Sequence, residues 1–175
     1  MNALSVGYRF TREELSTLLQ ALRIDGLPGA PLHPVDPAAA EATLRRIADS
    51  GLAMMVDGTL YVDKLIGYLL RAPARCKSAV AVTDGSHTAV LWGVDQLFIL
   101  GWFPSQGECS LTPLQNREAA RAELEDALCR LSHPVRGVNV FDPERRASIP
   151  AEDLREPQQA AMALMALMDA APDNQ

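Results

Sequence analysis

The fold is decided by the stretch KSAVAVTDGSHTAVLWGVDQLFILGWF, residues 77–103. It contains three β-prone runs, and Asp84-Gly85 between the first two is a dipeptide typical of tight turns. In the second run Thr88, Val90 and Trp92 alternate with apolar neighbours, as in a strand whose two faces differ. The third run, 97–103, is apolar almost throughout, which predicts a central strand covered on both faces.

Short connections join these runs, and such connections are typical of antiparallel strands. We therefore expect an antiparallel meander of three or four strands, with 109–112 as the candidate fourth strand. A long helix is predicted after the meander, from about 114 to 131, because apolar residues recur there at helical spacing. The segment 132–156 is polar and punctuated by proline, so we expect an irregular connector with one β-prone island, Val135 to Phe141, before a last helix at 157–170.

The region before the meander begins with a marked helix start. Thr11 and Glu14 have the spacing of a capping box, in which each side chain bonds the backbone N–H of the other residue. A second helix is predicted from Asp36 and Pro37 to Gly51, since proline is favoured at the first helical position and glycine just after the last. Two short β-prone runs then flank Asp57-Gly58, which predicts a hairpin.

A short helix is predicted to follow the hairpin, from Lys64 to Arg71, ending before Pro73. The order helix, helix, hairpin, helix across 11–72 is that of a winged-helix module. The sequence therefore predicts an α+β fold: a winged-helix-like N-terminal layer followed by an antiparallel β-meander covered by C-terminal helices. We expect one compact domain over 1–175, with subregions 11–72, 73–131, 132–156 and 157–170.

Composition and charge bear on location and partners. The net charge is −6, and the last third, residues 114–175, carries seven basic and eleven acidic groups. Nucleic-acid binding needs a concentrated basic face, which the sequence does not contain. We expect no membrane span and no signal peptide, hence a cytoplasmic protein. The cysteines Cys76, Cys109 and Cys129 lack metal-ligand spacing and are predicted to be buried thiols.

DNA binding is the first alternative function. In a winged-helix protein the second helix reads the major groove, so Arg45 and Arg46 would be the candidate DNA contacts. The same helix carries Asp36, Glu41 and Asp49, and the hairpin has no basic residue. Winged helices also serve as protein-interaction modules, and the sequence leaves both interpretations open.

A family resemblance spans about residues 44–82. It is carried by Leu44-Arg45-Arg46-Ile47, Ser50-Gly51-Leu52, Asp57-Gly58, Leu60, Asp63, Leu65, Leu69-Leu70, Pro73 and Val80–Val82. This pattern resembles EspG-type proteins, the chaperones that accompany substrates of the type VII secretion system. The resemblance implies a chaperone-like role. It assigns no binding residue, since the matched positions are core leucines, a turn and a helix cap.

The last helix suggests a surface for protein binding. Residues 160–168 are apolar around the whole circumference, and three methionines lie three residues apart. Methionine-rich surfaces adapt to varied partners. The candidate protein-interaction residues are Met162, Leu164, Met165 and Met168. In the other interpretation the helix covers one face of the meander and its methionines fill gaps in the core.

Catalytic, cofactor and metal sites are not predicted. His33, His87 and His133 lie outside nucleophile motifs and have no carboxylate at metal-site spacing. Ser86 and His87 are neighbours, but adjacent strand residues point to opposite faces. We therefore predict a non-catalytic, cytoplasmic protein-interaction or chaperone-like domain that binds a protein partner or itself. The alternatives are a winged-helix DNA-binding regulator and an enzyme with a dispersed site.

Overall fold

The computed structural model describes residues 7–132 and 134–169, which form a mixed α+β fold. The elements of the first half are β1 (Tyr8–Phe10), α1 (Arg12–Ala21), α2 (Pro37–Asp49), β2 (Ala53–Val56), β3 (Thr59–Val62) and α3 (Lys64–Arg75). Those of the second half are β4 (Ser78–Thr83), β5 (His87–Val94), β6 (Leu97–Pro104), β7 (Cys109–Leu114), α4 (Arg117–Cys129), β8 (Val135–Asn139), β9 (Asp142–Ile149) and α5 (Pro157–Asp169).

The meander is confirmed, and it is the centre of a larger sheet. Strands β4 to β7 pair in chain order, all antiparallel. β1 adds to the free edge of β7, whereas β8 and β9 add beyond β4, which gives the order β1-β7-β6-β5-β4-β8-β9. The β-prone island predicted at 135–141 contains β8, whereas β9 was not predicted within the irregular connector at 132–156. β9 is an edge strand in which only Ile149 is buried, so it lacks the apolar alternation that marks a half-buried strand.

Local signals at the turns and helix ends are confirmed. The Thr11 side chain accepts from the N–H of Glu14 at 3.0 Å, and the Glu14 carboxylate accepts from the N–H of Thr11 at 2.8 Å. Asp57 and Gly58 both have positive φ, 50° and 76°, as a tight hairpin turn requires. β2 and β3 form a separate two-stranded sheet. The order helix, helix, hairpin, helix is thus observed as α1, α2, β2–β3 and α3.

α3 is longer than the sequence indicated. It continues through Pro73 to Arg75, although Pro73 has no N–H to donate to the preceding turn. Pro73 lies in the last turn of the helix and is buried with Ala72, so tertiary packing offsets the lost hydrogen bond. The N–H of Cys76 then bonds the Pro73 carbonyl at 3.2 Å and closes the helix.

The seven-stranded sheet separates two hydrophobic cores. The N-terminal core packs α1, α3 and the proline-rich loop against one face, which presents Ala79, Val90 and Trp92. The C-terminal core packs α4 and α5 against the other face, which presents Val80 and Leu91. Because successive side chains on a strand point to opposite faces, each central strand contributes to both cores.

Candidate functional site

Three of the four candidate protein-interaction residues on the last helix lie inside the fold. Leu164, Met165 and Met168 are buried in the C-terminal core, where α5 packs against α4 and the sheet. Of the four candidate residues only Met162 is exposed, at 58% of its surface. The three buried side chains fit the other interpretation, in which the helix covers one face of the sheet and its methionines fill gaps in the core. A helix that covers a sheet directs its apolar stripe inward.

An exposed apolar surface lies instead on the β2–β3 hairpin. Met54 and Tyr61 are directly paired across the two strands, so their side chains lie on the same face. Val56 is two residues beyond Met54 and shares that face. The exposed fractions of Met54, Val56 and Tyr61 are 61%, 43% and 56%. We call these three side chains the hairpin surface.

The other face of the hairpin explains why the surface exists. Ala53 is buried in the N-terminal core, and Leu60 and Val62 pack against it. The hairpin is therefore apolar on both faces, and the fold packs only the inner face, where Met55 still remains 44% exposed. Sequence reasoning missed this surface, although the uninterrupted run Met54-Met55-Val56 was the available signal. A strand with one buried and one solvated face would alternate apolar and polar residues.

The charged residues nearest to the hairpin surface in the chain are two aspartates and one lysine. Asp57 lies in the hairpin turn and Asp63 follows β3, where its carboxylate accepts from the N–H of Leu65 at 2.9 Å and begins α3. Leu65, in the first turn of α3, is also exposed, at 42%. Lys64 is the nearest basic residue in the chain. Such a surface favours apolar contact over neutralisation of phosphate groups.

Arg45 and Arg46, the candidate DNA contacts, lie on the exposed side of α2 and are each paired with a glutamate. An Arg45 Nη atom lies 2.7 Å from a Glu41 carboxylate oxygen, and an Arg46 Nη atom lies 3.1 Å from Glu13 on α1. Thr43 also contacts Glu13, at the point where α1 and α2 meet. In this arrangement carboxylates partly neutralise both guanidinium groups, which lowers their attraction for phosphate.

A second polar cluster joins the β4–β5 turn to the end of α4. The Asp84 side chain is inaccessible to solvent and accepts from the backbone N–H groups of Ser86, His87 and Ser132. His87 Nδ1 lies 3.2 Å from the same carboxylate, and the His87 ring stacks on Trp102 at 5.4 Å between centroids. The Thr83 hydroxyl donates to the His87 backbone carbonyl at 2.8 Å, but among the described residues no hydroxyl or thiol is hydrogen-bonded to the His87 ring.

The charge of Asp84 is stabilised by these donors. Burial alone would raise the pKa of Asp84, but the N–H groups of His87, Ser86 and Ser132 and the His87 ring outweigh it and lower the pKa to about 2. Hydrogen bonds to the ionised form favour ionisation in this way. The cluster therefore fixes the turn to α4 through a buried carboxylate.

Asp84→Asn is expected to lower the free energy of unfolding by about 2 kcal/mol at neutral pH. The pKa of Asp84 is lower in the folded than in the unfolded state, so its ionised form stabilises the fold, and asparagine cannot ionise. The stabilisation is complete above the unfolded-state pKa near 4 and is lost as the pH falls through about 2. Urea unfolding measured from pH 7 to pH 2 should show the difference between variant and wild type shrinking below pH 4. Asp95→Asn, in the exposed β5–β6 turn, is the control and should change little. A difference that stays constant down to pH 2 would contradict this assignment.

The three cysteines differ in solvent exposure. Cys76 and Cys109 are buried, as predicted, and burial raises the pKa of Cys76 to about 11 and also raises that of Cys109. Both are therefore protonated and weakly nucleophilic at neutral pH. Cys129 is exposed, so the prediction that it is buried was wrong. It follows Ala127 and Leu128 in the chain but lies outside the buried stripe of α4.

Residues 7–132 and 134–169 contain no cluster of three His, Cys, Asp or Glu side chains that could hold a metal ion. His133 lies outside the described residues, and His33 is exposed in the proline-rich loop. None of the described helices is both long enough and apolar enough to cross a membrane. Models of known protein families give no match to this chain, and a search of curated proteins gives none either.

Proposed function

We propose that this protein is a non-catalytic, chaperone-like interaction domain that holds an apolar segment of another protein on its hairpin surface. The observation that carries the proposal is the exposure of Met54, Val56 and Tyr61 side by side on one face of a two-stranded sheet. Contiguous exposed apolar side chains are typical of protein-interaction sites. Met and Tyr are enriched at such interfaces.

The architecture of the hairpin supports this proposal. A two-stranded sheet alone is marginally stable in water, and here only its inner face is packed on the N-terminal core. A partner that covers the outer face would remove Met54 and Tyr61 from water and would sandwich the hairpin between two apolar layers. The resemblance to EspG-type chaperones over residues 44–82 includes this hairpin, which agrees with a chaperone-like role.

DNA binding has weaker support than protein binding. The winged-helix interpretation would place Arg45 and Arg46 on DNA, yet both are paired with glutamates, and the hairpin that would form the wing carries Asp57 and no basic residue. It predicts salt-sensitive DNA binding that is lost on replacing both arginines. A gel shift at low salt measures this directly.

Replacing Met54 and Tyr61 together by serine is expected to weaken partner binding at least about a hundredfold, since central aromatic and methionine contacts dominate interface energies. The partner is recovered from native lysate with the wild-type chain and identified by mass spectrometry. Its affinity for each variant is then measured with purified proteins by calorimetry. The free energy of unfolding should stay within about 1 kcal/mol of wild type, because both side chains are on the surface.

Phe141→Ser is the matched control for this experiment. Phe141 is also a large exposed apolar residue, at 47%, but lies in the β8–β9 turn. The control should bind the partner like wild type. Retention of the partner by the hairpin variant would contradict the proposal. So would a wild-type chain that is monomeric at every concentration in sedimentation analysis and recovers no partner.

A further inference from the structure

A cleft of about 600 Å³ lies on the sheet face that carries the N-terminal core, at the β8–β9 end. The proline-rich loop forms one wall with Gly29 and Pro31. Four strands contribute to its floor, because the pairings of β4 with β5, β8 with β4 and β9 with β8 align their residues in rows. Cavities of this volume commonly hold small molecules.

The floor of the cleft combines an apolar row and a polar row. The apolar row contains Ala81 and Val138, which are register partners and pack with the N-terminal core. In the polar row Thr83 pairs with Thr88 on one side and with Arg136 on the other. The floor therefore offers apolar contact next to hydrogen-bonding groups, which is the composition of a ligand site.

Two arginines stand at the β9 side of the cleft. Arg136 pairs with Ser148, and Arg146 pairs with Val138, which is two residues from Arg136. The arginines are thus diagonal neighbours on one face, a separation that long side chains span easily. Both are exposed, and no acidic residue lies among the described residues that line the cleft.

The two guanidinium groups are free to bind an anion. Arg146 Nε donates to the Pro143 carbonyl at 2.8 Å, which orients the group. In residues 7–132 and 134–169 no carboxylate lies within 4.0 Å of either Arg136 or Arg146, whereas Arg45, Arg46, Arg117 and Arg121 each have one. The positive charge of these two adjacent arginines is therefore not neutralised by an ion pair within the described residues.

We propose that this cleft binds a small amphiphilic anion, with its carboxylate or phosphate held by Arg136 and Arg146 and its apolar body lying along Ala81 and Val138. Guanidinium groups bind both kinds of anion through paired hydrogen bonds. The apolar row is contiguous with the arginines, so the ligand carries both parts in one molecule. The site is independent of the hairpin surface, which lies on a separate sheet.

An acidic protein segment added as a strand along β9 is the less favoured occupant. β9 carries Pro143, which has no N–H for a new strand, and the charged residues Glu144 and Arg145. Proline and charge on an edge strand are features that oppose strand addition. The cleft volume of about 600 Å³ beside the proline-rich loop favours a small molecule.

The test uses the full chain and four probes in an NMR titration of its backbone amides. Octanoate and octyl phosphate carry the proposed anions, octyl glucoside has the same tail with a neutral head, and acetate has the carboxylate alone. We expect saturable binding of at least one anionic amphiphile, with shifts in β4, β8 and β9. Arg136→Gln and Arg146→Gln should each weaken it at least about tenfold, since each removes a charged hydrogen-bond donor. Arg9→Gln, at the opposite edge of the sheet, should leave binding unchanged.

The two anionic probes distinguish a carboxylate ligand from a phosphate ligand, because the natural head group should give the tighter complex. Octyl glucoside binding as tightly as the anionic probes would overturn the proposal. So would unchanged binding by the Arg136→Gln, Arg146→Gln double variant, or shifts confined to the hairpin surface. Absence of saturable binding of both anionic probes in the millimolar range would also overturn it.

Discussion

Replacing Met165 by alanine is expected to lower the free energy of unfolding by about 2–5 kcal/mol, the usual cost of truncating a large buried side chain. Met165 is only 3% exposed and packs in the C-terminal core between α5 and the sheet. Truncation removes apolar contacts and leaves a cavity that α4 and the strands cannot fill without moving. Urea denaturation followed by circular dichroism measures the change.

Met162→Ala is the control on the same helix. Met162 is one turn before Met165 and is exposed, so its truncation should change the free energy of unfolding by less than about 0.5 kcal/mol. Alanine favours helices, so neither change disturbs α5 itself. Equal effects of the two substitutions would show that α5 does not pack on the sheet as described.

Gly101→Ala is expected to cost about 3 kcal/mol, the upper range for overpacking a core. A β-carbon at Gly101 would lie 2.6 Å from the Trp92 ring and 2.6 Å from the Phe103 ring. Both rings are fully buried, and the Trp92 N–H donates to the Pro28 carbonyl at 2.8 Å, which fixes the indole against the proline-rich loop. Neither ring can move aside without disturbing the side chains packed around it. Thermal and urea unfolding report the loss.

Gly93→Ala is the matched glycine control in the neighbouring strand. Its β-carbon would meet Phe98 and Ser78 at 3.6–3.7 Å, which is ordinary contact, so we expect a change within about 1 kcal/mol. In a Trp92→Phe background Gly101→Ala should lower the free energy of unfolding by less, since the smaller ring leaves room for the added β-carbon. Strictly additive effects would contradict a direct clash between the two side chains.

The parts of the fold that local chemistry determines were predictable. Alternation in 87–93 marked β5, and the positive φ of Asp57 and Gly58 follows from the turn that their sequence favours. The capping box at Thr11 and Glu14 marked the start of α1. In each case the responsible residues are neighbours in the chain, so the sequence contains the whole interaction.

The parts that depend on distant pairing were not predictable. β1 pairs with β7 about a hundred residues away, and β8 pairs with β4 although three strands and α4 lie between them in the chain. β9 is stabilised by β8 on one edge and has exposed polar side chains, so no apolar pattern marks it. Pro73 sits within α3 because of burial that only the tertiary structure provides.

The candidate sites show the same division. The run Met54-Met55-Val56 is visible in the sequence, but only the structure shows that one face of the hairpin is packed and the other is not. Leu164 and Met165 belong to the core because α5 packs on the sheet. The helix is apolar around its whole circumference, so the sequence alone did not show which of its residues are buried. The arginine cleft depends on the pairing of β4 with β8, which brings Thr83 beside Arg136.

The sheet between the two cores has a consequence for hydrogen exchange. The amides of β4, β5 and β6 are bonded on both sides to other strands, and their side chains are buried in both cores. Opening these strands to deuterium therefore requires both helical layers to separate, which approaches global unfolding. The edge strands β1 and β9 each have one neighbour and should exchange through smaller openings. Protection should thus fall from the centre of the sheet towards both edges.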